Sequence, residues 1–185
     1  MVDSTEAPVP IPIADSATAE MEAIMGEHEA GLLRYAARLL HDPASAQDVV
    51  QETFIKLFQG WHTGERPATG LKTWLYRVVH NAAVDFIRRE SRLRLLHGQH
   101  TREQRLTGPE PRPPAPERRE TLRLAMEQVR YLDPAEQQVL ILRFQEGLSY
   151  KEISDVTKRT EGNVGCLLHH AVKNLSARMK QKGLL

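Results

Sequence analysis

Leu132 to Gly165 reads LDPAEQQVLILRFQEGLSYKEISDVTKRTEGNVG, and the punctuation of this stretch decides the fold. Asp133-Pro134-Ala135-Glu136 supplies an N-cap, a proline at the first helical position and a carboxylate three residues on, a strong helix start. The helix it opens presents Val139, Leu140, Leu142 and Phe144 and stops near Gly147. Ser149-Tyr150-Lys151-Glu152 is a capping box that opens a short helix through Val156. After a brief turn at Lys158-Arg159, Thr160 caps a longer helix carrying Val164, Leu167, Leu168, Ala171, Val172 and Leu175. A short and a longer helix joined by a tight turn form the helix-turn-helix pattern, although an ordinary helical hairpin would read the same way.

Outward from this stretch, apolar residues recur three or four apart almost everywhere, and strict alternation is nearly absent. The expectation is an all-α protein. A further helix with Leu122, Ala125, Met126 and Val129 precedes Asp133. In the N-terminal half, Leu32, Leu33, Ala36, Ala37, Leu39 and Leu40 form one stripe, and Asp42-Pro43 starts the next helix. That helix buries Ala46, Val49, Val50, Phe54 and Leu57 and leaves Asp48, Gln51, Glu52 and Lys56 for other faces. Gly60 to Gly70 reads as a loop. Beyond it Trp74, Leu75, Val78, Ala82 and Phe86 line one side of a long helix whose later turns carry Arg77, His80, Asn81, Asp85, Arg88 and Arg89. Two breaks frame these modules. Pro8, Pro10 and Pro12 sit among small and acidic residues in an expected disordered acidic tail over 1–20. Five prolines between Pro109 and Pro116, beside Gly98, Gly108 and several arginines, mark a Pro/Arg-rich linker over 96–117. Two small helical domains remain, 21–95 and 118–182, the second containing the helix-turn-helix.

Composition narrows the function. The 185 residues suffice for one or two small domains, with 41% hydrophobic and only 5% aromatic residues for their cores. No apolar run nears the ~20 residues that span a bilayer, so no membrane insertion is expected, and no basic-then-apolar leader is seen. The lone Cys166 forbids an internal disulfide and suits a reducing cytoplasm. The net charge of +1 hides an asymmetry: no Lys or Arg occurs before Arg34, whereas arginines gather from Arg88-Arg89 to Arg118-Arg119. An acidic head before basic patches fits a polyanion-binding protein, and equally a set of solvated helix faces. Neither a phosphate-binding loop, nor a two-metal acidic cluster, nor a nucleophile–base pair is present to suggest an enzyme. His169-His170 and His97…His100 lack the companions of a zinc site, so neither metal nor cofactor is expected.

The strings Asp48-Val49-Val50-Gln51-Glu52-Thr53-Phe54-Ile55-Lys56-Leu57 and Lys72-Thr73-Trp74-Leu75-Tyr76-Arg77 through Asp85-Phe86-Ile87-Arg88-Arg89 closely resemble the promoter-opening domain of sigma-70 family proteins. Leu132 to Val164 resembles the family's C-terminal promoter-reading domain. Two such domains with only a linker between them look like the extracytoplasmic-function (ECF) branch of the sigma factors. The resemblance implies a monomer that docks on core RNA polymerase and binds double-stranded and locally opened promoter DNA. It implies docking through Asp48, Gln51, Glu52 and Lys56, whose acidic and amide groups accept bonds from a basic partner. The proximal element would be met by Trp61, Arg66, Arg77, Asn81, Arg88 and Arg89. Single-stranded DNA requires a basic groove and surfaces on which bases stack, and Asn81 would face either a phosphate or a base edge. The distal element would be met by Lys151, Arg159, Thr160, Glu161, Asn163, His170 and Lys173. Many relatives are restrained by an anti-sigma protein, a partner this chain's residues do not identify.

The recognition helix departs from the family. Relatives commonly carry Lys, a small hydroxyl residue and Arg where Gly165, Cys166 and Leu167 stand, and Gly165 costs the helix about 1 kcal/mol relative to Ala. Altered sequence preference or weaker affinity is expected. Cys166 reads as a small buried cysteine before it reads as a redox sensor. The alternatives to a sigma factor are a helix-turn-helix regulator without sigma activity, a nucleic-acid-processing enzyme and a helical adaptor.

Overall fold

Four helices begin where a side-chain cap places them. In a computed structural model that describes residues 13–64, 67, 70–97 and 116–184, there are seven helices: α1 (Ile13–Leu40), α2 (Pro43–His62), α3 (Leu71–His97), α4 (Pro116–Val129), α5 (Pro134–Phe144), α6 (Tyr150–Thr157) and α7 (Glu161–Gln181). Asp42 caps α2 by accepting from the Ser45 amide at 2.9 Å, with Pro43 at the first position. Asp133 does the same for α5 through Ala135 N at 2.8 Å. Ser149 and Glu152 complete the reciprocal capping box of α6, and Thr160 accepts from Asn163 N to open α7. Stops are equally local. Gly147, at φ +70°, ends α5 while Leu148 N donates back to Leu142 O, and Lys158 in the left-handed region ends α6.

Four expectations change. The acidic tail was read to residue 20, yet α1 already starts at Ile13, because Ala14, Ala17 and Ala19 follow the last proline with nothing to break a helix; residues 1–12 lie outside the described residues. Gly60 and Trp61 are helical, since α2 persists to His62 and turns only at Gly64, φ +79°. Most of the linker, 98–115, is outside the described residues. Phe144, Leu122 and Val172 are exposed (Phe144 at 66%): Phe144 is the last residue of α5, Leu122 stands in the first half of α4, ahead of the buried Gln128 and Val129, and Val172 is turned outward from Val164, Leu168 and Ala171. Cys166 is exposed: the buried series of α7 runs Val164, Leu168 and Ala171, which turns position 166 outward.

Burial follows the remaining stripes. Leu32, Tyr35 and Ala36 of α1, Val50, Phe54 and Leu57 of α2, and Leu75, Val79 and Ala83 of α3 close the first module. Val129, Val139, Leu140, Leu142, Ile153, Val156, Val164 and Leu168 close the second. The two join in one continuous buried cluster. They meet where α6 lies along the first half of α3, with a smaller contact of α1 on α5.

Candidate polymerase and nucleic-acid interface

On α2, Ala46, Val49, Val50, Thr53, Phe54 and Leu57 are buried, so the opposite face is fixed as Asp48, Gln51, Glu52, Ile55 and Phe58, all exposed. Sequence reasoning found the polar half of this stripe and missed its apolar half. Ile55 and Phe58, at 49% and 41% exposed, stand in register with Asp48 and Gln51; that spacing was the available signal. Lys56 pairs with Glu52 at 2.8 Å, and this hydrogen bond and charge hold the Glu52 carboxyl below its ordinary range. The stripe therefore combines acceptors with a pair of bulky apolar groups, the composition of a protein-docking face.

A cleft between α2 and α3 continues this surface. Glu52 and Lys56 line one side; Ala82, Asp85, Arg88, Arg89 and Arg92 line the other. Arg88 reaches Asp85 at 3.6 Å, and Arg89 Nε donates to the Asp85 carbonyl at 3.4 Å, so both guanidinium groups remain largely solvent-facing. Arg77, Asn81 and Arg88 fall at helical spacing on one side of α3, with Arg77 half-buried and Asn81 exposed. Thus Arg77, Asn81 and Arg88 share a ridge, and Arg89 borders it on the cleft side. His80 does not: it is buried at 6% exposure, with Nδ1 2.8 Å from the Tyr35 hydroxyl. Burial first, then the positive charge of Arg159, pushes the imidazole down from 6.5 to about 4. Trp61 is half-buried at the end of α2, and its indole N–H donates to Glu20 at 2.9 Å, which ties it to α1. Arg66 lies outside the described residues.

In the second module, α6 and α7 stand as a helix-turn-helix. Lys151, Thr160, Glu161, Asn163, His170 and Lys173 are exposed, and Arg159 is half-buried. Thr160 is already engaged, its hydroxyl accepting from Asn163 N at 3.2 Å, so its first duty is to cap α7. Arg159 Nη1 lies 3.4 Å from Asn163 Oδ1, a weak contact that leaves the amide available. The outward face of α7 also includes Gly162, Cys166 and His169; His169 is a further candidate the sequence offers for the distal element, and Cys166 enlarges the surface beyond those candidates. Gly165 faces the Tyr150 ring, where an added Cβ would meet Cε2 at 3.6 Å, ordinary contact distance. Among the described residues, no group of three or more His, Cys, Asp or Glu could hold a metal, and no helix is long and apolar enough to cross a membrane.

Residues 24–93 match the model of Sigma-70 region 2, and residues 122–175 match that of Sigma-70, region 4. The chain is 33% identical to the ECF RNA polymerase sigma factor SigL of Mycobacterium tuberculosis, over 93% of this chain and 97% of SigL. It is 28% identical to the RNA polymerase sigma factor YlaC of Bacillus subtilis, over 86% of this chain and 91% of YlaC. In fold it resembles the sigma factor RpoE of Bartonella quintana, solved with the anti-sigma factor NepR. That likeness has a TM-score of 0.71 at 17% identity, covering 90% of this chain and 98% of that one.

Proposed function

The chain belongs to the ECF sigma factors of the sigma-70 family, and from that premise we propose how its surfaces divide the work of transcription initiation. As a sigma factor it binds core RNA polymerase and directs initiation at promoters. The stripe Asp48, Gln51, Glu52, Ile55 and Phe58, with Lys56 at its border, is the docking face for core polymerase. The ridge of Arg77, Asn81 and Arg88, with Arg89 at its border, receives the opened proximal element, with Trp61 and Arg66 contributing at the end of α2 and in the following loop. Lys151, Arg159, Glu161, Asn163, His170 and Lys173 face the distal element as duplex, around the α7 N-terminus that Thr160 caps. Strand separation needs only a few kcal/mol per unstacked base, which binding to the basic ridge can supply without a catalytic centre. The protein works in the cytoplasm, where the polymerase is. An anti-sigma protein is the partner class that would compete for these same surfaces.

The observation that carries this reading is the outward stripe of α2 beside the arginine ridge of α3, in one chain with a helix-turn-helix. A regulator that used only the helix-turn-helix would have no use for that stripe. The test separates the two surfaces. Alanine at Asp48, Gln51 and Glu52 together should weaken binding to core polymerase by about tenfold or more with an unchanged circular dichroism spectrum. Alanine at Arg88 and Arg89 should spare core binding and abolish permanganate reactivity of the opened promoter strand. If both sets left core binding and promoter opening intact, the assignment of these surfaces would be wrong.

A further inference from the structure

Near the C-terminus of α7, three cations gather on one aromatic ring. Tyr131 follows α4 and is 41% exposed. The guanidinium carbons of Arg130 and Arg178 each lie 4.7 Å from its ring centre, and Lys182 Nζ lies at 5.5 Å. Arg130 Nη2 also donates to the Tyr131 hydroxyl at 2.6 Å. Among the described residues, no carboxylate pairs with any of the three cations. Acids close to them in sequence are engaged elsewhere, Glu127 with Arg123 at 2.6 Å and Glu136 with Asn174 at 2.9 Å. Arg178 Nε is buried without a hydrogen-bond partner.

Two ordinary causes account for part of this. Cations in the last turn of a helix complement its dipole, which covers Arg178 and Lys180 at the end of α7 and Lys182 at its cap. One guanidinium stacked on Tyr131 also ties α7 to the end of α4. Neither explains why Arg130 converges on the same ring from α4's end, because like charges within a Debye length, about 10 Å at 0.1 M salt, repel one another. What the cluster lacks is negative charge. At about 1.5 Å per residue, Arg178 stands about 25 Å along α7 from Glu161, so a duplex met by the α7 N-terminus leaves the cluster uncovered. A single small anion would leave the exposed ring wet, whereas a peptide covers ring and charges together. Tyr and Arg are among the residue types that dominate protein interfaces, and a guanidinium already held on a ring is preorganised to grip a carboxylate through two bonds. The geometry points to a docking site for an acidic segment of a protein partner: an apolar side chain of that segment covers Tyr131, its carboxylates engage Arg130 and Arg178, and Lys182 adds charge. This surface shares no residue with those assigned above to polymerase and promoter, and the sigma assignment does not depend on it.

The test uses the full chain and a fluorescein-labelled oligoglutamate peptide with one central phenylalanine, its binding read by fluorescence anisotropy. Arg130→Gln, Arg178→Gln and Tyr131→Ala should each weaken binding about tenfold. Lys180→Gln removes the same charge from the same turn of α7, at a residue that is not over the ring, and should change binding by less than about twofold. Arg130 is exposed, so Arg130→Gln decides the matter if Arg178→Gln, whose Nε is buried, fails to fold by circular dichroism. Serine in place of the peptide's phenylalanine should weaken binding to the unaltered protein by about threefold or more. Absence of binding would overturn the docking site. Equal losses in Lys180→Gln and Arg130→Gln would overturn it too, by showing attraction to net charge alone. A short random-sequence duplex that displaces the peptide, and whose own affinity falls with Arg130→Gln, would overturn it in favour of a surface for nucleic-acid phosphates.

Discussion

Replacing His80 with glutamine isolates the cost of keeping an imidazole neutral inside the first module. The ring is buried against Tyr35, whose own pKa burial raises so that its hydroxyl stays protonated, and that hydroxyl is hydrogen-bonded with Nδ1 at 2.8 Å. The folded-state value of about 4 lies below the ordinary 6.5. Between those two values the unfolded chain binds a proton that the folded chain does not, so stability falls as pH falls. Above about pH 7 the group contributes no pH dependence. One pKa unit is worth about 1.4 kcal/mol, so the native state should lose about 1.4 kcal/mol by about pH 5.5 and on the order of 3 kcal/mol by about pH 4. For a chain of this length, the first loss lowers Tm by about 3–6 °C. All other ionisable groups are common to both proteins, so the informative quantity is the difference between the two stability-versus-pH curves, measured by urea unfolding. That difference should be flat above about pH 7. Below it, the native protein should lose stability relative to His80→Gln by the amounts given. Parallel curves from about pH 7.5 to 4.5 would refute the argument that His80 is held neutral by burial.

Two local predictions concern the helix-turn-helix. Gly165→Ala adds a methyl group at ordinary contact distance from Tyr150 in the interior of α7, so it should stabilise the protein by about 0.5–1 kcal/mol, seen as a higher urea midpoint with an unchanged slope; a loss of stability would show that Tyr150 cannot accommodate it. Ser149→Ala removes the oxygen that accepts from Glu152 N at 3.3 Å and should cost about 1 kcal/mol, measured the same way, whereas Lys151→Ala on the exposed side of the same turn should stay within about 0.5 kcal/mol.

The local grammar of this chain is legible without coordinates. Asp42-Pro43, Asp133-Pro134, Ser149…Glu152 and Thr160 each announce a helix start through bonds made within three residues, and each start is where the caps put it. Buried stripes are legible for the same reason, because helical spacing alone separates Val49, Val50 and Phe54 from Asp48, Gln51 and Glu52. Errors arise where distant elements decide. His80 shares its side of α3 with Tyr76, Thr73 and Lys72, and only the approach of α1 and α6 makes that side an interior. Gly64, Pro67 and Gly70 mark a loop that takes in Trp61, but its bond to Glu20, forty-one residues earlier, belongs to tertiary structure. Cys166 was read as buried on residue type, and the register of Val164 and Leu168 turns it out. Ile55 and Phe58 were overlooked because apolar residues are first read as core. The contact between modules has no local signature at all: Glu146 is one more acidic residue before a glycine until Tyr76 and Gly31 are placed against it.

The most direct test of the central claim is run-off transcription with purified core RNA polymerase on a set of genomic promoter fragments, with and without this protein. Transcripts starting at defined sites only when the protein is added, and lost when Asp48, Gln51 and Glu52 are replaced by alanine, are the predicted result. A protein that fails to bind core polymerase and yields no defined transcript on any fragment would contradict the account.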